Sequence, residues 1–212
     1  MATKILVVVI LGLIGLTTIF STCKKGLLGC ANTVYYFKAA AQEYHDNDSI
    51  PVGDTVWIEF NLPTSFIDLS SNKQIDYSNS INFGNFIREL KFTGGSILDP
   101  GTEYSPQDFK YILIVGNPTQ NNFPKEGQAY NFSELNNSYK LKVGLIPTMP
   151  GIYALSISDA DGVYRKGDEC TKAHFYFQLN NTNQHLYLYQ NNRPGYQISD
   201  YERAHLYCFK VY

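Results

Sequence analysis

Four histidines, four cysteines and nineteen carboxylates are the groups in this 212-residue chain with chemistry beyond packing. Cys170-x-x-x-His174, with His185 and His205 further on, comes nearest to a metal-ligand set, yet its spacing matches no zinc pattern. Asp159, Asp161, Asp168 and Glu169 lie close in sequence and would offer calcium hard oxygen ligands if their loops converged. Turn chemistry accounts for the first two without a metal, because Asp-Ala-Asp-Gly162 suits a hairpin turn. No Gly-x-Ser-x-Gly elbow, phosphate loop or His-Glu-x-x-His occurs, so no catalytic residue is assigned and neither a cofactor nor a metal is expected. The carboxylate pair of a glycoside hydrolase is set by distance in space, so a secreted hydrolase of unfamiliar type stays as an alternative to a non-enzyme. Tyrosine carries more signal. Tyr187, Tyr189, Tyr196, Tyr201 and Tyr207 crowd the last quarter, and tyrosine supplies wide, stiff contact area with a polar tip. In a strand over His185–Gln190, Tyr187 and Tyr189 point the same way. With Tyr196 they form the candidate ligand-binding surface, for a protein or a carbohydrate.

The N-terminus dictates where those groups operate. Lys4 precedes an uncharged run from Ile5 to Phe20, which Ser21-Thr22-Cys23-Lys24-Lys25 closes. The run is short for a bilayer-spanning helix, which needs about 20 residues, and suits the apolar region of a secretory signal. Phe20-Ser21-Thr22-Cys23 resembles the box of bacterial lipoproteins, and Phe20 in the first place followed by Lys24-Lys25 is similar to those of Bacteroidetes type. The resemblance implies a signal peptide over residues 1–22, acylation of Cys23, a tether over 23–31 and a single domain over 32–212. An ordinary secreted protein with Cys23 free for a disulfide, and an uncleaved anchor helix, are the alternatives. The implied partner is a membrane, reached through the N-terminal lipid, and the implied location is the bacterial cell envelope at the outer membrane. The Lys24–Ala31 tether lacks the acidic run common after the lipid-bearing cysteine of surface-exported members, which leaves the membrane face open.

Composition bounds the rest. About 190 residues beyond the signal suffice for one sizeable domain. Net charge is −2 for the whole chain, so nothing provides an electrostatic footprint for nucleic acid. With Cys23 acylated, Cys30, Cys170 and Cys208 remain in an oxidising compartment, where one pair closes and one thiol is left. Seventeen Tyr and thirteen Phe, with Asn, Gly and Ser in the gaps, lean the chain toward strands.

Strands are expected at Thr33–Tyr44, Thr55–Leu62, Phe86–Phe92, Tyr111–Val115, Tyr139–Leu145, Pro150–Ser158, Ala173–Leu179, His185–Gln190 and Leu206–Tyr212. The continuous apolar run Tyr111–Val115 predicts a central strand buried on both faces. Trp57 lies opposite Val56 and Ile58 in the alternation, as a lid on the second face or as a contact residue. Residues 63–108 look irregular, and a stretch that long inside a compact domain points to missed strands. Ser199-Asp-Tyr-Glu202 has capping-box spacing. Pro150-Gly151-Ile152-Tyr153 followed by alternating residues resembles the penultimate strand of immunoglobulin-like sandwiches, in which the tyrosine hydroxyl bonds back to the chain. The expected fold is therefore an all-β, immunoglobulin-like antiparallel sandwich of about nine strands. The expected role is non-catalytic, binding or structural, with a subunit of an envelope complex or fibre as the alternative.

Overall fold

Seventeen strands, two short α-helices and one 3-10 turn (Pro106–Asp108) account for the regular structure among the described residues. The computed structural model describes residues 33–44, 47–94, 101–180, 183–193 and 195–212, and residues 34–212 form one unit. The leader, Cys23, Cys30 and the tether lie outside the described residues. In chain order the strands are β1 (Thr33–Tyr44), β2 (Ser49–Ile50), β3 (Val56–Pro63), β4 (Ser65–Ile67), β5 (Gln74–Asp76), β6 (Ser80–Ile81), β7 (Gly84–Phe92), β8 (Thr102–Tyr104) and β9 (Phe109–Val115). They continue as β10 (Asn117–Pro118), β11 (Gly127–Asn131), β12 (Ser133–Leu135), β13 (Ser138–Pro147), β14 (Gly151–Ile157), β15 (Ala160–Arg165) and β16 (Asp168–Leu179). Helices α1 (Leu186–Asn191) and α2 (Asp200–His205) precede the last strand, β17 (Leu206–Val211).

Two large sheets take fifteen of these strands, and β4 and β5 pair as a separate two-stranded sheet. The first runs β12-β13-β3-β1-β16-β15-β6, with β9 also on β13; the second runs β10-β11-β7-β14-β17-β2, with β8 also on β7. Period-two patterning explains the sorting. Val56, Ile58, Phe60 and Leu62 of β3 and Tyr139, Leu141, Val143 and Leu145 of β13 are buried, and they join Tyr153, Leu155, Phe209 and Val211 of the second sheet in one cluster. The rings of Phe109 and Tyr153 meet across the sheets at 5.1 Å, in the edge-to-face arrangement that ring quadrupoles favour. Fully burying such a side chain contributes about 1.5–3 kcal/mol, so this aromatic interior is the main term holding the sheets together.

The outer face of the second sheet is covered too. Phe92, Ala154, Leu206 and Cys208 pack there with Tyr189 and Ile198 from the segment that carries the helices. This covering explains why β17 is buried at every position except Lys210. It also corrects the strand expected over His185–Gln190, which is helix α1 instead. His185 takes a left-handed conformation (φ 49°) that ends extended structure, and Leu186, Leu188 and Tyr189 then pack on the sheet from a helical turn. Short apolar runs fit both periods, and the second sheet's need for a cover decides between them.

Other expectations meet the fold in different ways. Residues 63–108 contain β4 to β8, so the irregular stretch does hide strands. Strand β9 lies at an edge and pairs only with β13, and Ile112 and Ile114 are exposed; it is not the central strand its apolar run predicts. Asp159–Gly162 is not a hairpin turn. The chain crosses there from β14 in the second sheet to β15 in the first, and Gly162 (φ 65°) sits at a break in the β15–β16 register. The capping box is present: Ser199 Oγ accepts from Glu202 N–H at 3.2 Å, and Ser199 N–H donates to Glu202 Oε2 at 2.9 Å. Tyr153 donates its hydroxyl backwards to the Met149 carbonyl at 3.0 Å and to Asp108 Oδ2 at 2.9 Å, and burial pushes its pKa up to about 12. Cys170 is in a disulfide and Cys208 is free and buried, which removes both pairings that would use Cys208. Among the described residues no helix is long and apolar enough to cross a membrane.

Candidate functional site

The outer face of the first sheet carries the most site-like surface. Alternation along β1 buries Phe37, Ala39 and Ala41 and turns Tyr36, Lys38, Ala40 and Gln42 outward. The neighbouring strand β16 buries Ala173, Phe175, Phe177 and Leu179 and turns His174, Tyr176 and Gln178 outward. The two patterns together set three rings in a row. Tyr36 lies 5.4 Å from His174 with planes 14° apart, and 6.3 Å from Tyr176 with planes 7° apart. His174 Nδ1 is held by Asp161 Oδ1 at 2.7 Å, which fixes that end of the row. Tyr36 and Tyr176 are 36% and 42% exposed, so ring surface is available to a ligand.

A register limit opens the groove beside this row. Strand β1 pairs with β3 only from Ala41 opposite Phe60 to Tyr44 opposite Trp57. Nearer Tyr36 the segment after β3 fills the space between the strands. Leu69 N–H donates to the Tyr36 carbonyl at 2.8 Å, and Tyr36 N–H donates to Asp68 Oδ1 at 3.0 Å. Asp68 Oδ2 accepts from the Ser70 and Ser71 hydroxyls, each at 2.6 Å, and from Ser71 N–H at 2.8 Å. The two serine hydroxyls, with the Tyr36 amide, hold this carboxyl far below the usual carboxylate range. The clamp leaves a cavity of 420 Å³ bordered by Lys38, Ala40, Asn61, Phe66, Ile67 and Leu69. A second, of 240 Å³, is lined by Ala40, Gln42, Glu59, Asn61 and Asn180. Ala40 and Asn61 border both. Glu59 is neutralised by Lys142 at 2.9 Å, and the Lys142 ammonium also stands 5.6 Å from the Trp57 ring. Trp57 is half-buried on this same face and lies across the strand from Gly144. Ring surface for stacking beside amides for hydrogen bonding is equipment for recognition.

The residues singled out from sequence lie elsewhere. Tyr187 is exposed and donates to Asp48. Tyr189 is buried and donates to Glu202 Oε1 at 2.6 Å, while the exposed Tyr196 donates to the same carboxylate at 2.9 Å. The Arg193 guanidinium lies 4.9 Å from the Tyr189 ring and 3.8 Å from the Tyr196 ring. The structure therefore brings Tyr189 and Tyr196 together and sets Tyr187 on another side of α1, since residues two apart in a helix diverge by about 200°. His205 Nε2 bonds Asp159 Oδ1 at 2.9 Å and His185 Nδ1 bonds the Cys208 carbonyl at 3.1 Å, so the histidines are dispersed. Asp159 and Asp161 border a shallow depression of 190 Å³, Asp168 pairs with Arg165 at 2.9 Å, and among the described residues no three potential metal ligands converge.

One buried group stands apart. Glu89 of β7 faces the interior; both its carboxyl oxygens, and the Ser105 hydroxyl, lack a hydrogen-bond partner among the described residues. Burial pushes its pKa up to about 8. The nearby Tyr111 and Tyr130 hydroxyls are raised by burial first and by this carboxyl second, and Tyr111 donates to the Pro106 carbonyl at 3.2 Å.

Comparison with known proteins decides nothing further. The chain matches no protein-family model and no curated protein.

Proposed function

We propose that this is a lipid-anchored protein of a bacterial cell envelope, of Bacteroidetes type, with a non-catalytic binding role served by the groove beside Tyr36 and Tyr176. The N-terminal sequence supports the anchor: the uncharged run Ile5 to Phe20, closed by Ser21-Thr22-Cys23-Lys24-Lys25, resembles the segment that precedes an acylated cysteine. Several acyl chains on one cysteine, at about 0.8 kcal/mol per buried CH₂, hold a domain of this size firmly on the outer membrane.

We also read the domain as an immunoglobulin-like sandwich. Strand order supports this. Seven strands taken in chain order as A to G put β1-β3-β13-β9 in one sheet and β7-β14-β17 in the other, the ABED and CFG order of that fold. The backward bond of Tyr153 at the start of the sixth of these supports it as well. On this reading β10 to β12 and the β15-β16-helix segment are insertions, and the second of them supplies His174 and Tyr176.

The observation that carries the binding role is the set of near-parallel rings on the same sheet face as two cavities that share Ala40 and Asn61. Residues 24–212, lacking the lipid, should sediment with isolated envelopes. The Tyr36→Ala/Tyr176→Ala variant should stay in the supernatant with an unchanged circular dichroism spectrum, and equal sedimentation of both overturns the reading. A second reading, subunit of an envelope complex or fibre, is favoured by β9, an edge strand with Ile112 and Ile114 exposed. Substituting Lys at Ile112 and Ile114 would abolish assembly on that reading and leave groove binding intact.

A further inference from the structure

We infer that the groove beside Tyr36 and Tyr176 takes a neutral oligosaccharide; the inference rests on the binding role proposed above and adds its chemical class. Three features of the surface select that chemistry. The first is the ring row. Tyr36 and Tyr176, near-parallel at 6.3 Å and both exposed, present apolar ring surface suited to a ligand with C–H faces, and the Asp161-held His174 ring stacks against Tyr36 at 5.4 Å.

The second is the kind of polar group available. Asn61 and Asn180 border the cavities, and a side-chain amide both donates and accepts, while the Ser65 hydroxyl at the wider end donates to the Ile75 carbonyl at 3.3 Å and keeps its capacity to accept. Sugar hydroxyls also donate and accept, so each can be satisfied without a formal charge on either partner. A phosphate or carboxylate ligand would call for clustered donors only, and a cationic ligand for acceptors only. The surface has neither bias, because Glu59 is paired with Lys142, Asp161 is paired with His174, and Lys38 at the wider cavity is a single cation rather than a cluster.

The third is shape. The two cavities are neighbours on the sheet face, open to solvent, with Ala40 and Asn61 bordering both. An open face of that form admits a chain from the side and accepts internal units of a polymer. The Asp68 clamp, with four hydrogen bonds to residues 36, 70 and 71, fixes one wall before any ligand arrives, so little ordering entropy is lost on binding.

A glycan array carrying neutral, acidic and basic oligosaccharides, probed with residues 24–212, tests the class. Retention on neutral glycans is expected, weakened tenfold or more by Tyr36→Ala and by Tyr176→Ala. Asn61→Asp, nearly the same shape but acceptor-only, should weaken it as well, whereas Tyr187→Ala should leave it unchanged. Retention confined to charged glycans, or none on any glycan, overturns the inference, as does a neutral-glycan signal indifferent to Tyr36, Tyr176 and Asn61. Periodate treatment of isolated envelopes, which cleaves vicinal diols, separates this failure from failure of the binding role. Tyrosine-dependent sedimentation that survives periodate and is lost on proteolysis keeps the binding role and rejects the oligosaccharide. Loss on periodate supports both.

Discussion

Replacing Glu89 by Gln should make the domain more resistant to alkaline conditions, by an amount fixed by the burial of that carboxyl. In the folded chain the group is buried beside the Tyr111 hydroxyl without a hydrogen bond of ordinary geometry, and burial raises its pKa to about 8 against an ordinary 4.5. A folded-state pKa above the unfolded one means that the folded chain holds the proton more tightly. The native state keeps its full stability below pH 4.5 and loses it as pH rises toward 8, after which the loss levels off. At about 1.4 kcal/mol per pH unit, the loss reaches about 3 kcal/mol at pH 7 and about 5 kcal/mol by pH 9. The amide of the Glu89→Gln variant is neutral throughout, so its own desolvation cost is a constant offset and only the difference between the two pH profiles carries the effect. Urea unfolding of both proteins at pH 4, 7 and 9, followed by Trp57 emission, measures that difference. The gap should widen in favour of the variant by about 3 kcal/mol between pH 4 and pH 7. Parallel profiles would refute the claim that burial keeps Glu89 neutral in the folded protein.

Further substitutions probe what positions the groove. Tyr153→Phe removes the hydroxyl that ties Met149 and Asp108 to β14, while Asp108 keeps its Lys91 partner at 2.8 Å. The cost should be about 1–2 kcal/mol, seen as a fall of several degrees in melting temperature with unchanged urea m-value. Gly144→Ala would set a methyl 2.8 Å from the Thr55 methyl and 2.9 Å from the Trp57 ring, so both side chains must shift. A red-shifted Trp57 emission and a loss of about 1–3 kcal/mol are expected, and an unshifted spectrum contradicts the packing described. Cys208 is fully buried and burial pushes its pKa up to about 12, so it should resist thiol reagents in the native protein and react on unfolding.

Strands with one buried face were legible because their pattern is local. β3, β13 and β14 could be read from alternation, and the Tyr153 bond from Pro150-Gly151-x-Tyr153. The elements that escaped depend on neighbours far along the chain. β9 reads as a central strand because Tyr111–Val115 is apolar throughout; only its place in the sheet reveals that Ile112 and Ile114 face water. Leu186 to Tyr189 fit both a strand and a helix, and the exposed back of the second sheet selects the helix. The aromatic row was invisible for the same reason. Tyr36 and Tyr176 each look like the outward residue of an ordinary strand, and their spacing exists only once β1 lies beside β16. The Tyr187, Tyr189 and Tyr196 cluster was conspicuous in sequence because it is dense, yet Tyr189 and Tyr196 converge on Glu202 and Arg193.

Hydrogen–deuterium exchange of residues 24–212, with and without isolated envelopes, tests the binding surface most directly. Slowed exchange should gather on residues 36–42, 59–69 and 174–180, the strands and clamp that border the cavities. Protection at 109–115 or 185–196 instead, or none at all, would contradict the account.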